Sequence, residues 1–154
     1  MTDQIPNHII RKARHSDITD MVKLLRILFS IETDFVVNEG TQQRGLEMML
    51  EDSTHRRMMV AELNQQIVGM CTAQILVSTA KGGIVALIED LVVEDAYRGK
   101  GIGKELLLSI ENWANAQGAK RLQLLADRNN IRALEFYKNL DWKGTQMICL
   151  QRLV

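Results

Sequence analysis

Residues 90–107 read DLVVEDAYRGKGIGKELL: an apolar run closes at Val93, glycines follow at positions 99, 101 and 103, and an amphipathic pattern begins at once. Backbone N–H groups in the first turn of a helix have no partner within it, and the helix dipole adds partial positive charge there. Gly99, Gly101 and Gly103 let the main chain approach an anion without a Cβ in the way, while Arg98, Lys100 and Lys104 add charge. A pyrophosphate suits such a junction. Glycine turns before helices also serve as plain punctuation, so the hexapeptide RGKGIG alone does not decide. A Walker loop needs GKS or GKT after GxxxxG, and here the helix starts GKE. A dinucleotide fingerprint follows the first strand of a βαβ repeat, whereas this loop comes two thirds of the way along the chain.

Upstream, HIIRKA predicts a short first strand, and Ser16 is a candidate cap for a helix over 17–30, where Ile18, Met21, Val22, Leu25, Leu28 and Phe29 recur at helical spacing. The pattern lapses over 31–40 and resumes in a second helix over 41–51. Then come MMVAEL, the turn residues Asn64 and Gln65, IVGMCTAQILV, the turn Lys81-Gly82-Gly83, and IVALIEDLVV. Apolar and β-branched runs separated by turn chemistry predict an antiparallel meander of three strands. Downstream, Ile102, Leu106, Ile110, Trp113 and Ala114 share a helical face that ends at Gly118. RLQLLA follows as a strand, 130–139 as a helix, and WKGTQMICLQRLV as a closing hairpin or strand pair. The order β-α-α-β-β-β-α-β-α-β describes a mixed α/β (α+β) fold: a mainly antiparallel sheet of six to seven strands flanked by about four helices.

A chain of 154 residues, 46% hydrophobic, is long enough for one core, so a single domain over 1–154 is expected. Lys plus Arg and Asp plus Glu both number 19, without the basic excess that nucleic-acid binding requires. No secretory leader and no apolar stretch of membrane-spanning length is legible, so a cytoplasmic protein with no membrane partner is expected. Cys71 and Cys149 each lie in an apolar run and read as buried packing; His8, His15 and His55 are scattered, so no metal site is signalled.

At this point the chain resembles the GCN5-related N-acetyltransferases, the GNAT family. LVVEDAYRGKGIG is similar to that family's fourth strand and its (Q/R)xxGx(G/A) cofactor loop, with Arg98, Gly101 and Gly103 on the signature positions. ADRNNIRALEFYKNLDW is similar to its second motif, with Asn130, Ala133, Phe136 and Tyr137 matching NxxAxxFY. The element order agrees across essentially the whole chain. One departure stands out: the family commonly has Gly-Phe where this chain has Asp141-Trp142.

The resemblance implies direct transfer of an acetyl group from acetyl-CoA to an amine in a ternary complex. It assigns the cofactor to main chain at Leu91, Val92 and Val93, to the loop Arg98, Gly99, Lys100, Gly101, Ile102, Gly103 and Lys104, and to Asn130, Ala133 and Tyr137. An alkylammonium with a pKa of about 10 must lose a proton before attack, and Glu89 is the leading base, with Asp90 second or binding the substrate's charge. Strand alternation puts these two on opposite faces. A backbone N–H near 91–93 suits the developing oxyanion, and the resemblance nominates Tyr137 to protonate the departing thiolate. Glu32, Asp34 and Glu39, with Glu89 and Asp90, are candidates for an acidic pocket that takes a cationic amine, and the resemblance of IEDLVV to the same region of diamine and aminoalkylphosphonate acetyltransferases implies a small-molecule amine rather than a protein tail. A homodimer, joined through the closing strands, is the expected assembly.

Overall fold

The computed structural model describes residues 7–32 and 36–154. The chain divides into two compact units, Met1–Gln123 and Leu124–Val154. In the first, β1 (His8–Lys12), β2 (Arg56–Leu63), β3 (Gln66–Ser78) and β4 (Gly83–Val93) form an antiparallel run; β5 (Leu122–Leu124), at whose last residue the second unit begins, completes the order β1-β2-β3-β4-β5. The Lys120 N–H donates to Ile84 O and the Ala86 N–H to Arg121 O, so both segments advance in the same direction. The β2–β3 turn is tight because Asn64 and Gln65 both take positive φ, at 49° and 63°, the geometry a two-residue hairpin needs.

Helices α1 (Ile18–Ile31) and α2 (Glu39–Leu50) cover one face and α3 (Ile102–Ala116) the other. Met70 and Val92, paired across β3 and β4, belong to the core with Ile18, Met21 and Leu25 of α1. Gly69, one residue earlier and so on the opposite face, would put a Cβ 3.0 Å from Leu106 of α3 and 3.3 Å from Val92 O. Glycine there allows α3 to lie close on the sheet.

The entry to α1 differs from expectation. Ser16 does not cap it; a short 3-10 turn over His15–Asp17 leads in, and the buried Asp17 takes two hydrogen bonds from Arg11 (2.7 and 2.9 Å) and one from the Arg14 N–H (2.7 Å). Burial alone would raise the Asp17 pKa, but these bonds hold it below the ordinary carboxylate range. Helix α2 starts two residues earlier than expected because Asn38 Oδ1 accepts the Thr41 N–H.

The second unit holds α4 (Ile131–Asn139). The expected closing strand pair is not formed: residues 142–154 have no strand, which leaves five strands among the described residues instead of six to seven. The Met147 N–H is taken by Thr145 Oγ1, a local bond that competes with strand pairing. Cys149, expected to be buried there, is exposed. Among the described residues no helix is long and apolar enough to cross a membrane.

Candidate active site

The site is built on the second half of β4. From the Ser78↔Gly83 end the β3–β4 ladder runs regularly to Thr72↔Glu89, then shifts, so that Asp90 and Leu91 together oppose Cys71 before pairing resumes at Met70↔Val92. This is a β-bulge, which takes a residue out of the ladder, and Asp90 accommodates it with a φ of 52°. The strand-alternation expectation fails here for that reason. Thr72 shares a face with its ladder partner Glu89, and the Thr72 hydroxyl lies 3.1 Å from Asp90 Oδ2 and 3.1 Å from Glu89 O. The two carboxylates are therefore brought to one face, Glu89 exposed and Asp90 half-buried.

Their environments differ. Burial first, and the neighbouring Glu89 charge second, raise the Asp90 pKa to about 6, against the Thr72 hydrogen bond that lowers it. Cys71 is fully buried, and burial followed by the Asp90 charge pushes its thiol up, so it is an inert packing group as expected.

Beyond the bulge, Val92 is buried in the core while Leu91 and Val93 are half-buried, so Val92 offers a ligand its main chain only. The Glu94 N–H donates to Val68 O at 2.8 Å, the position where β3 itself bulges against β2. The chain then turns through a 3-10 segment, Asp95–Tyr97. Arg98 is partly engaged in shaping this turn: its Nε donates to Val93 O at 2.8 Å and its Nη1 to Asp95 Oδ1 at 3.2 Å. Lys100 Nζ lies 5.8 Å from the centre of the Tyr97 ring.

The glycine positions fit a diphosphate. Gly99 and Gly101 have φ of 76° and 84°, and a Cβ on either would meet nothing within 4 Å. The space in front of both is open, and Gly101 is the residue from which α3 starts. Ile102 turns its side chain into the core at 3% exposure, leaving its main chain for the loop, and Gly103 and Lys104 continue the first helical turn. Glu105 in that turn is tied to β1 by His8 Nε2 at 2.7 Å.

Within the second unit, Asn130 caps α4, its side chain accepting the Ala133 N–H at 3.1 Å. The Tyr137 ring stands edge-on to Phe136 (5.2 Å between centres) and to Trp142 (6.1 Å). Asp141 has a φ of 65°. The departure from Gly-Phe thus retains the left-handed turn, with a residue type that tolerates it comparatively well.

The acceptor-side candidates are less united. Glu32 ends α1 and is half-buried; Asp34 lies outside the described residues; Glu39 is ion-paired with Arg26, so its charge is already met. Sequence reasoning missed Thr72. Counting the ladder back from the Lys81-Gly82-Gly83 turn would have set it opposite Glu89.

The profile of the acetyltransferase (GNAT) family matches residues 20–142. Glucosamine 6-phosphate N-acetyltransferase of Trypanosoma brucei brucei is 27% identical over 151 residues, covering 94% of each chain. An uncharacterised N-acetyltransferase of Methanocaldococcus jannaschii is 23% identical over 94% of this chain, which spans 64% of that protein's length. An aminoglycoside N-acetyltransferase, AAC(6')-Iy, solved with CoA, superposes with a TM-score of 0.84 at 16% identity and 99% coverage of both chains. The chain belongs to the acetyltransferase (GNAT) family and is an N-acetyltransferase whose acetyl donor is acetyl-CoA.

Proposed function

We propose that this enzyme acetylates the primary amine of a small cationic molecule, with Glu89 and Asp90 as the acceptor's reception site. The observation that carries the reading is the bulge, which brings both carboxylates to one face just before the anion-binding loop. Glu89, the exposed member, meets the incoming ammonium. Asp90, with a pKa of about 6, is the proton acceptor favoured over Glu89: it is ionised at neutral pH and closer to it than an ordinary carboxylate. Glucosamine 6-phosphate and aminoglycosides, named for two of the similar proteins, are small amines, which supports this substrate class.

Acetyl-CoA supplies the activated acetyl group when bound. Main-chain N–H groups of Gly101 to Lys104 and the charges of Lys100 and Lys104 hold its diphosphate, and Arg98 shapes the turn that presents them. An N–H freed from the ladder at 90–91 polarises the carbonyl. The family resemblance assigns to Tyr137 the protonation of the departing thiolate and to Asn130 and Ala133 contact with the pantetheine. Release of free thiol from acetyl-CoA, measured against a panel of small amines and of peptides, tests the substrate class. Turnover with small amines is expected. Turnover with peptides alone would show a protein acetyltransferase, and tight cofactor binding without thiol release from any acceptor would show a non-catalytic module.

A further inference from the structure

Thr72 is a polar residue buried in β3 between Cys71 and Ala73, at 3% exposure. Its hydroxyl lies at equal distance, 3.1 Å, from a carbonyl and a carboxylate, Glu89 O and Asp90 Oδ2. One hydroxyl carries one hydrogen and two lone pairs, so it cannot donate to both at once. The arrangement has two internally consistent states. With Asp90 ionised, the hydroxyl donates to Oδ2. With Asp90 protonated, the new carboxyl O–H donates to Thr72 Oγ1, and the hydroxyl hydrogen swings to Glu89 O. In both states the Asp90 head keeps a partner in the same place.

We propose that Thr72 is a positioning residue for acetyl transfer, its hydroxyl holding the Asp90 carboxylate at the bulge while Asp90 accepts the acceptor's proton. The inference rests on Asp90 being that acceptor. The step is a proton transfer only: the N–H bond of the substrate ammonium breaks, an O–H bond forms on Asp90, and the nitrogen keeps the electron pair with which it attacks. Solvent takes the proton from Asp90 afterwards.

The bulge makes such a holder necessary. A residue at φ 52° is set by its backbone in a sparsely populated region, and a half-buried carboxylate there has few neighbours to orient it. Among the described residues, the polar groups beside it are Glu89 on its own strand and Thr72 and Cys71 on β3. The α1 residues packed on this face of the sheet, Ile18, Met21, Val22 and Leu25, are apolar. Among the described residues, Thr72 is the one whose side chain hydrogen-bonds the Asp90 carboxylate. Valine at 72 would keep the shape and lose the hydrogen bond; serine would keep the hydrogen bond.

The test compares wild type, Thr72→Val and Thr72→Ser in two readouts. Carbon-13 NMR of labelled aspartate carboxyls, with the Asp90 signal assigned by its loss in Asp90→Asn, follows the protonation midpoint without any reaction. Loss of a charge-assisted hydrogen bond is expected to move that midpoint up by about one pH unit in Thr72→Val. In steady state the same variant should lower kcat about tenfold while the KM for the amine stays within about twofold. Thr72→Ser should restore both. An unmoved midpoint in Thr72→Val, or failure of serine to restore kcat, overturns the role of Thr72. Full turnover in Asp90→Asn instead overturns the reading of Asp90 as proton acceptor, and the inference falls with it.

Discussion

Asp90 is half-buried with its acidity weakened to about 6, by burial first and by the Glu89 charge second. A carboxylate whose folded pKa lies above its unfolded one contributes stability that is present below the ordinary range near 4 and lost as pH rises through about 6. The proposed role of Asp90 as proton acceptor has the opposite requirement, since the carboxyl must then be ionised. The kcat/KM for the amine is therefore expected to fall as pH is lowered through about 6. Asp90→Asn should remove that limb, lower turnover on the order of 10²-fold or more, and raise stability at pH 8 by about 1–2 kcal/mol relative to wild type. Denaturant unfolding at pH 8 alongside the pH–rate profile checks both signs. A variant less stable than wild type would show that the buried charge is not costly. Glu89→Gln, by contrast, is expected to raise the KM for a cationic amine more than it lowers kcat. Asp17 gives the opposite linkage. Its lowered pKa contributes stability above the ordinary range and loses it in acid, and Asp17→Ala should cost about 3 kcal/mol because Arg11 would be left partly buried with Glu62 as its remaining charged partner, at the longer distance of 3.3 Å.

The elements that could be read from the residues are those with a strong period. Helix α1 follows from Ile18, Met21, Val22 and Leu25, and α3 from Ile102, Leu106, Ile110 and Trp113, all of which are buried. Strands β3 and β4 were legible because Lys81-Gly82-Gly83 interrupts two apolar runs. The bulge was not legible. IVALIEDLVV contains no glycine or proline to mark it, and an extra residue in one strand is visible only against its partner. Likewise Asp17 was hidden, since its partner Arg11 sits on β1, and the closing strands were inferred from an apolar pattern that residues 142–154 do not use for pairing. Backbone chemistry at two positions can be checked directly. Gly101→Ala forces a left-handed φ of 84° on a residue with a Cβ, so it should cost about 1–2 kcal/mol in thermal or denaturant unfolding and weaken coenzyme A binding. Asp141→Gly should be neutral to stabilising, by up to about 1 kcal/mol, because glycine adopts the φ of 65° without penalty. Loss of stability on that change would mean that the Asp141 side chain contributes more than its backbone strain costs.

For the molecule as a whole, the sheet and its covering helices serve to present one strand end. The bulge aims two carboxylates, the turn stitched by Arg98 leads into the glycines, and α3 begins beyond them. Each link is local in sequence between 89 and 105, which is why the glycine loop could be read from the residues, whereas Thr72 meets Glu89 and Asp90 only through the β3–β4 ladder. The central claim is that main chain freed of Cβ atoms at Gly99 and Gly101 grips the diphosphate of coenzyme A. Calorimetric titration of the purified protein with acetyl-CoA tests it most directly. Saturable one-to-one binding with a Kd of about 1 μM to 1 mM, weakened at least about tenfold by Gly101→Ala, is the expected result. The absence of saturable binding to wild type, or unchanged affinity in a folded Gly101→Ala protein, would contradict it.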